Sequence, residues 1–237
     1  MIVLHHLGIS QSERITWLLE ELQLEYKLVK HTRAPALAPD SLKNIPGNNA
    51  GKSPFIEDPD AGITLSESGA ITDYIIWKYG NGRLALKPDN KNFSEYLHWK
   101  DFSNATLQPA MLTLMFLKAA QISEENQMLG FANQRLHEAL KLMDDRLKDS
   151  KWLAGDEFTA ADTMSVYPVT TQRYWGPQVS LKEYPNLLRW LKDCSERPAY
   201  QKAMEKGDPD MKLLIGAEAP GESLLAAGGS ESSIWKK

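Results

Sequence analysis

The first third of the chain alternates short apolar runs with amphipathic stretches. Ile2-Val3-Leu4 predicts a short strand, and Ile15, Leu18, Leu19 and Leu22 follow at helical spacing. Tyr26-Lys27-Leu28-Val29-Lys30 then alternates like a half-buried strand. Residues 32–50, rich in Pro, Asn and Ala, predict a long loop. Pro54-Phe55-Ile56-Glu57 and Ile63-Thr64-Leu65 flank Asp58-Pro59-Asp60-Ala61-Gly62, whose turn chemistry predicts a hairpin. Ile71, Tyr74 and Ile75, with the aliphatic stem of Lys78, mark a helix ending before Gly80-Asn81-Gly82. The order strand, helix, strand, hairpin, helix predicts a small sheet with helices packed on it.

From about Pro88 the strand pattern disappears. Phe93, Tyr96 and Leu97 open a long helical stretch. Leu129, Leu136, Leu140, Met143 and Leu147 keep one face over several turns, and Leu187, Leu188, Leu191 and Cys194 form a third stripe. The expected fold class is α+β with two domains. A small βαβ-ββα unit over residues 1–82 is followed, after a linker near Asn81–Asp89, by an all-α domain over 90–215. Residues 216–237, rich in Gly, Ala, Glu and Ser, predict a flexible tail.

Composition narrows the class of function. With 237 residues there is enough chain for two cores, and 42% hydrophobic with 24% charged residues is ordinary for a globular protein. A formal net charge of -4, with Lys and Arg scattered, argues against a nucleic-acid partner. No apolar run approaches the roughly 20 residues of a membrane helix. The opening Met1-Ile2-Val3-Leu4-His5-His6 meets polar residues at once, so no secretory signal and a cytoplasmic location are expected. The single cysteine, Cys194, excludes an internal disulfide and a Cys-x-x-Cys motif. The five histidines show no metal-ligand spacing beyond His5-His6, which strand alternation sends to opposite faces, so no metal is expected.

Candidate chemistry concentrates in two segments. Gly51-Lys52-Ser53-Pro54 leads an apolar strand, and Glu67-Ser68-Gly69 stands at the mouth of a helix. Together they can offer main-chain pairing, a carboxylate for an ammonium and a helix N-terminus for a carboxylate, which suits a small zwitterionic peptide. Each also has a plainer reading. Pro54 can be a strand-starting proline, Lys52 a solvated lysine, and Glu67-Ser68 a helix start. Ser10 with Glu13 fits a capping box at the first helix.

Four stretches carry a family resemblance. They are His5-His6-Leu7-Gly8-Ile9-Ser10-Gln11-Ser12-Glu13-Arg14 running into Trp17-Leu18-Leu19-Glu20-Glu21-Leu22; Gly51-Lys52-Ser53-Pro54; Leu65-Ser66-Glu67-Ser68-Gly69-Ala70-Ile71; and Phe158-Thr159-Ala160-Ala161-Asp162. In this order the chain resembles a cytosolic glutathione transferase, closest to microbial, including fungal, members of that superfamily. The resemblance implies a thioredoxin-like N-terminal domain, an all-α C-terminal domain, a homodimer and a detoxifying role.

It also implies site roles. With neither cysteine nor tyrosine placed for thiol activation in the first turn, Ser10 becomes the expected serine-type activator, donating to the glutathione thiolate at a helix N-terminus; Ser12 and a main-chain N–H are the competitors. The resemblance further implies a cis Ser53–Pro54 bond, Ser53 main chain pairing with the cysteinyl part, Lys52 near the glycyl carboxylate, Ser68 on the glutamyl carboxylate and Glu67 on its ammonium. An extra residue or two in Ile45-Pro46-Gly47-Asn48-Asn49-Ala50 leaves open whether Asn48 or Asn49 touches ligand.

The expected activity is conjugation of glutathione, as co-substrate, to hydrophobic electrophiles. Glutathione-dependent peroxidase and a non-catalytic glutathione-binding protein of the same fold are the alternatives. Thr159 to Asp162 reads as a capping box serving the fold. Trp99, Phe102, Met111, Met115 and Phe116 fit either a second-substrate pocket or, more commonly, core.

Overall fold

The computed structural model describes residues 1–237. Strands β1 (Ile2–Leu7), β2 (Tyr26–His31), β3 (Phe55–Asp58) and β4 (Ile63–Ser66) form one sheet in the order β2-β1-β3-β4. β1 and β2 are parallel, with Leu4 opposite Leu28, and joined through helix α1 (Glu13–Glu21). β3 runs antiparallel to β1 and turns through the expected hairpin into β4. The loop after β2 carries one short helix, α2 (Asp40–Lys43), and α3 (Ser68–Lys78) follows β4.

The remaining helices are α4 (Phe93–Phe102), α5 (Gln108–Ala119), α6 (Gln127–Asp149), α7 (Ala160–Val169), α8 (Gln172–Trp175), α9 (Pro185–Ser195) and α10 (Pro198–Gly207). A π-helical turn, Ser103–Leu107, joins α4 to α5 without a break. The stripe on α6 buries Leu129, Leu136, Leu140, Met143 and Leu147, and that on α9 buries Leu187, Leu191 and Cys194.

α1 has no solvent-facing side over most of its length, since Glu13 to Glu20 are all buried. It lies between the sheet and the helical domain, against α7 and α10. Its polar residues are matched across that junction. Arg197 holds Glu21 through Nε at 2.6 Å and Nη2 at 2.7 Å, and Glu20 receives Lys202 at 2.7 Å and Lys206. One continuous core therefore runs from Leu4 and Ile56 in the sheet to Trp190 in α9.

The tail is not the loosely attached segment that its composition suggests. Leu181 N–H donates to Ala217 C=O at 2.8 Å, Leu224 N–H to Tyr174 C=O at 2.8 Å, and Ser230 N–H to Pro35 C=O at 3.1 Å. Leu224 is fully buried and Ile234 and Trp235 pack on the core. Three apolar side chains in a polar segment suffice to dock it, and glycine allows the close approach. A Cβ at Gly229, whose φ is +70°, would meet the Pro35 carbonyl oxygen at 2.7 Å.

The Thr159–Asp162 capping box forms as expected and opens α7. Asp162 is buried, which pushes its carboxyl up to about 6, while it accepts from Thr159 N–H at 3.0 Å, Leu153 N–H at 3.0 Å and Trp190 Nε1 at 2.9 Å. Asp162→Ala strands three buried donors at about 1–3 kcal/mol each. Chemical denaturation of this variant should show a loss of at least about 3 kcal/mol, and a loss below about 1 kcal/mol would refute the role.

Candidate functional site

β1 ends at Leu7 and the chain turns through Gly8–Ser12 into α1. Ser10 is only 4% exposed. Its hydroxyl donates to Leu7 C=O at 2.6 Å, lies 2.8 Å from Ser12 Oγ and accepts from Ser12 N–H at 3.3 Å. Ser12 is fully buried, with Oγ 2.8 Å from His6 Nδ1. His6 Nε2 in turn lies 3.1 Å from Asp208 Oδ2, and Asp208 Oδ1 accepts from Ile9 N–H at 3.1 Å. The N–H groups of Ser10 and Gln11 have no acceptor within the protein.

The capping box expected of Ser10 and Glu13 does not form. Ser12, not Ser10, directly precedes α1 and makes no side-chain cap. Glu13 turns into the domain junction instead, accepting from the hydroxyls of Thr171 and Thr170. Burial pushes its carboxyl up to about 8, against the lowering effect of the Thr171 bond.

The Ser53–Pro54 bond is cis. Ser53 Oγ donates to His5 C=O at 2.9 Å and accepts from Leu7 N–H at 3.2 Å, which ties this loop to the end of β1. Gln11 Nε2 reaches Ser53 C=O at 3.5 Å, and Ser53 N–H has no acceptor within the protein. Asn48 braces the loop: its Nδ2 donates to Leu42 C=O and Lys52 C=O, both at 3.1 Å. Asn49 and Lys52 are exposed, and the Lys52 ammonium has no ion pair.

Glu67 joins β4 to α3 at φ +69°, ψ +116°, a conformation that costs a residue bearing a Cβ of order 1–3 kcal/mol. Its carboxylate is exposed and unpaired. Ser68 is buried beneath it. Ser68 Oγ accepts from Asn104 Nδ2 at 3.1 Å and Arg14 Nη1 at 3.4 Å, which leaves its own proton without an acceptor. The N–H groups of Ser68, Gly69 and Ala70 are likewise free at the start of the helix.

Arg14 supplies the charge here. It is fully buried and makes no ion pair, and burial lowers its pKa to about 10. Nη1 donates to Asn104 Oδ1 at 2.9 Å and Gln11 Oε1 at 3.1 Å, and Nη2 to Ser103 Oγ at 3.0 Å. A cation, a free hydroxyl and a helix N-terminus together favour a carboxylate, with the exposed Glu67 beside them able to take an ammonium.

Ser53 and Ser68 are thus brought to the Ser10 turn, linked by Gln11 and Arg14, and Lys52 and Glu67 are their exposed chain neighbours. The helical domain adds Asn104, carried on the π turn, and Gln108, whose Nε2 lies 3.4 Å from Gln11 Oε1. Sequence reasoning passed over both, because nothing in their neighbourhood signals a π turn. Trp99, Phe102, Met111 and Met115 are core, while Phe116 is exposed. Cys194 is buried in apolar surroundings, which push its thiol up and leave it unreactive.

Residues 4–83 match the family described as glutathione S-transferase, N-terminal domain, and residues 107–198 match glutathione S-transferase, C-terminal domain. Among curated relatives, glutathione S-transferase 3 of Schizosaccharomyces pombe is 32% identical over 228 residues, covering 91% of each chain. A solved glutathione S-transferase from Actinobacillus pleuropneumoniae superposes with a TM-score of 0.76 at 28% identity, covering 88% of this chain and 93% of that one. A family member from Pseudomonas fluorescens, solved with two glutathione molecules bound, shares the fold at a TM-score of 0.69 and 21% identity, covering 86% and 92%.

The raised carboxyl of Glu13 makes a pH-dependent cost. The folded chain holds a proton there that the unfolded chain releases above its ordinary value of 4.5, so stability falls as pH rises from about 4.5 towards about 8. Glu13→Gln should therefore melt at least about 2 °C higher than the parent at pH 8 and about equally at pH 4.5. An equal shift at both pH values would show that the carboxyl is not titrating.

Proposed function

The chain belongs to the glutathione S-transferase family, and from that premise we propose that it binds glutathione at the domain junction and joins its sulfur to hydrophobic electrophiles. The observation that carries this reading is the pairing of an exposed, unpartnered Glu67 with the carboxylate-favouring pocket of Ser68, Arg14 and the start of α3. The glutamyl end of glutathione offers an ammonium and a carboxylate on one carbon, and these two neighbours complement them. Ser53 N–H and C=O then pair with the cysteinyl unit, and Lys52 approaches the glycyl carboxylate.

This pose brings the sulfur to the Ser10 turn. Ser10 rotates its hydroxyl from Leu7 C=O towards the sulfur and, with the free N–H groups of Ser10 and Gln11, stabilises the thiolate. A thiol near pKa 8.5 is mostly protonated at neutral pH, so a shift of about two units makes it mostly ionised. Ser12 is less suited, since its hydroxyl is buried against His6. The thiolate attacks an electrophilic carbon, forming the S–C bond as the leaving group departs with the bonding pair. The helical domain holds that second substrate, and we place the enzyme in the cytoplasm as a homodimer.

Retention on immobilised glutathione followed by turnover of a generic aromatic electrophile tests the whole reading. Retention without turnover supports a binding protein of this fold, and failure of both sinks the proposal. Ser10→Ala should lower kcat at neutral pH by about tenfold or more. Glu67→Ala should instead raise the KM for glutathione about tenfold with kcat nearly unchanged. A Ser10→Ala enzyme of full activity would remove Ser10 from the mechanism.

A further inference from the structure

Beneath the Ser10 turn lies a buried chain of hydrogen bonds that the scheme above does not use. Asp208 Oδ2, His6 Nε2, His6 Nδ1, Ser12 Oγ and Ser10 Oγ follow one another at 3.1 Å, across the imidazole, then 2.8 Å and 2.8 Å. His6 and Ser12 are essentially inaccessible, and Asp208 is 7% exposed. The far end is not sealed, because His6 and Asp208 also line a cleft of about 460 Å³ between β2 and the C-terminal segment, with Lys30, Arg33 and Trp235. One end therefore stands at the expected sulfur position and the other at an open cleft.

We propose that Ser12, His6 and Asp208 form a proton relay through which Ser10 drains the glutathione thiol, with His6 as proton acceptor and Asp208 as its positioning residue. The inference rests on the assignment of Ser10 above. The polarity of the chain follows from the carboxylate. Asp208 accepts from His6 Nε2–H, which fixes the neutral tautomer with its lone pair on Nδ1. Ser12 O–H then donates to Nδ1 at 2.8 Å in preference to Leu7 C=O at 3.3 Å, and Ser12 Oγ accepts from Ser10 when the Ser10 hydroxyl turns from Leu7 C=O to Ser12 Oγ, 2.8 Å away.

The step balances with the groups present. The sulfur proton passes to Ser10 Oγ, the Ser10 proton to Ser12 Oγ and the Ser12 proton to His6 Nδ1. The products are a thiolate, two neutral serines and an imidazolium held against the Asp208 carboxylate. Once the sulfur has been alkylated, the Nδ1 proton returns through Ser12 and Ser10 to the departing group or to solvent, which restores the Nε2–H tautomer and the starting chain. The charged and titratable groups that face the relay are Glu13 and Arg33, both within electrostatic reach of Asp208, and His31, which is within reach of His5 and His6. A fully buried Ser-His-Asp chain costs desolvation that apolar side chains would avoid, and three of its members reach one another in line.

The test is the thiolate absorbance of the glutathione-loaded enzyme followed against pH, in parent, Ser10→Ala, Ser12→Ala and Asp208→Asn. Asp208→Asn keeps an oxygen for Ile9 N–H, yet its amide donates to Nε2, which moves the His6 proton to Nδ1 and blocks acceptance from Ser12. Ser12→Ala breaks the chain without touching Asp208, and carries the test if the first variant folds poorly. Each should raise the apparent thiol pKa by at least about one unit, so that kcat falls about tenfold near pH 6.5 and recovers at high pH. The KM for glutathione should stay within about twofold, and the double variant should lose no more than either single.

A thiol titration that moves in Ser10→Ala but not in Ser12→Ala or Asp208→Asn overturns the relay and leaves the Ser10 assignment standing. A titration unmoved by Ser10→Ala overturns both. Activity losses that are equal at every pH and add in the double variant would also overturn the relay, since they mark a structural role.

Discussion

One buried cation organises the junction on which everything else depends. Arg14 sits on α1 with no carboxylate against it, and its guanidinium reaches Gln11 in the first turn, Ser68 at the start of α3, and Ser103 and Asn104 in the π turn of the helical domain. A buried charge without a counter-ion is costly, so the neutral oxygens around it must be held in place. They fix two domains at one angle. The unneutralised charge that remains is what makes the mouth of α3 a place for an anion.

The same economy runs through the first turn. Its polar atoms are largely engaged with one another: Ser10 with Leu7, Ser12 with His6, Ser53 with both His5 and Leu7. What is left over is a small set of unengaged groups, namely the N–H groups of Ser10, Gln11, Ser53 and the start of α3, the Ser68 proton and the Glu67 carboxylate. These surplus donors and one surplus acceptor are the groups on which the proposed glutathione pose rests. The backbone of Glu67, held at positive φ, keeps its carboxylate outward at the cost of local strain, which is how functional positions commonly differ from their neighbours.

Alternation and helical stripes were enough for the element order, since each strand and helix here buries a face set by its own period. The hairpin at 58–62 and the capping box at 159–162 were equally legible, because both are local chemistry within a few residues. The Ser10–Glu13 box had the same local signature and did not form. Thr170 and Thr171, more than 150 residues along the chain, offer the Glu13 carboxyl hydroxyl partners in the domain junction. A polar tail likewise read as detached, because its three docking residues are too few to make a pattern.

The chain by itself settled the two-domain α+β order and the family, and it put forward the segments of the candidate site, since these depend on local periodicity and on short motifs in register. Tertiary structure decided which side chains meet there. Asn104, on the π turn, and Gln108, at the start of α5, reach the site from the helical domain, and Asp208 joins His6 across 202 residues of sequence. Such contacts carry no local signal, because hydrogen bonds and desolvation act between neighbours in space and are indifferent to separation along the chain.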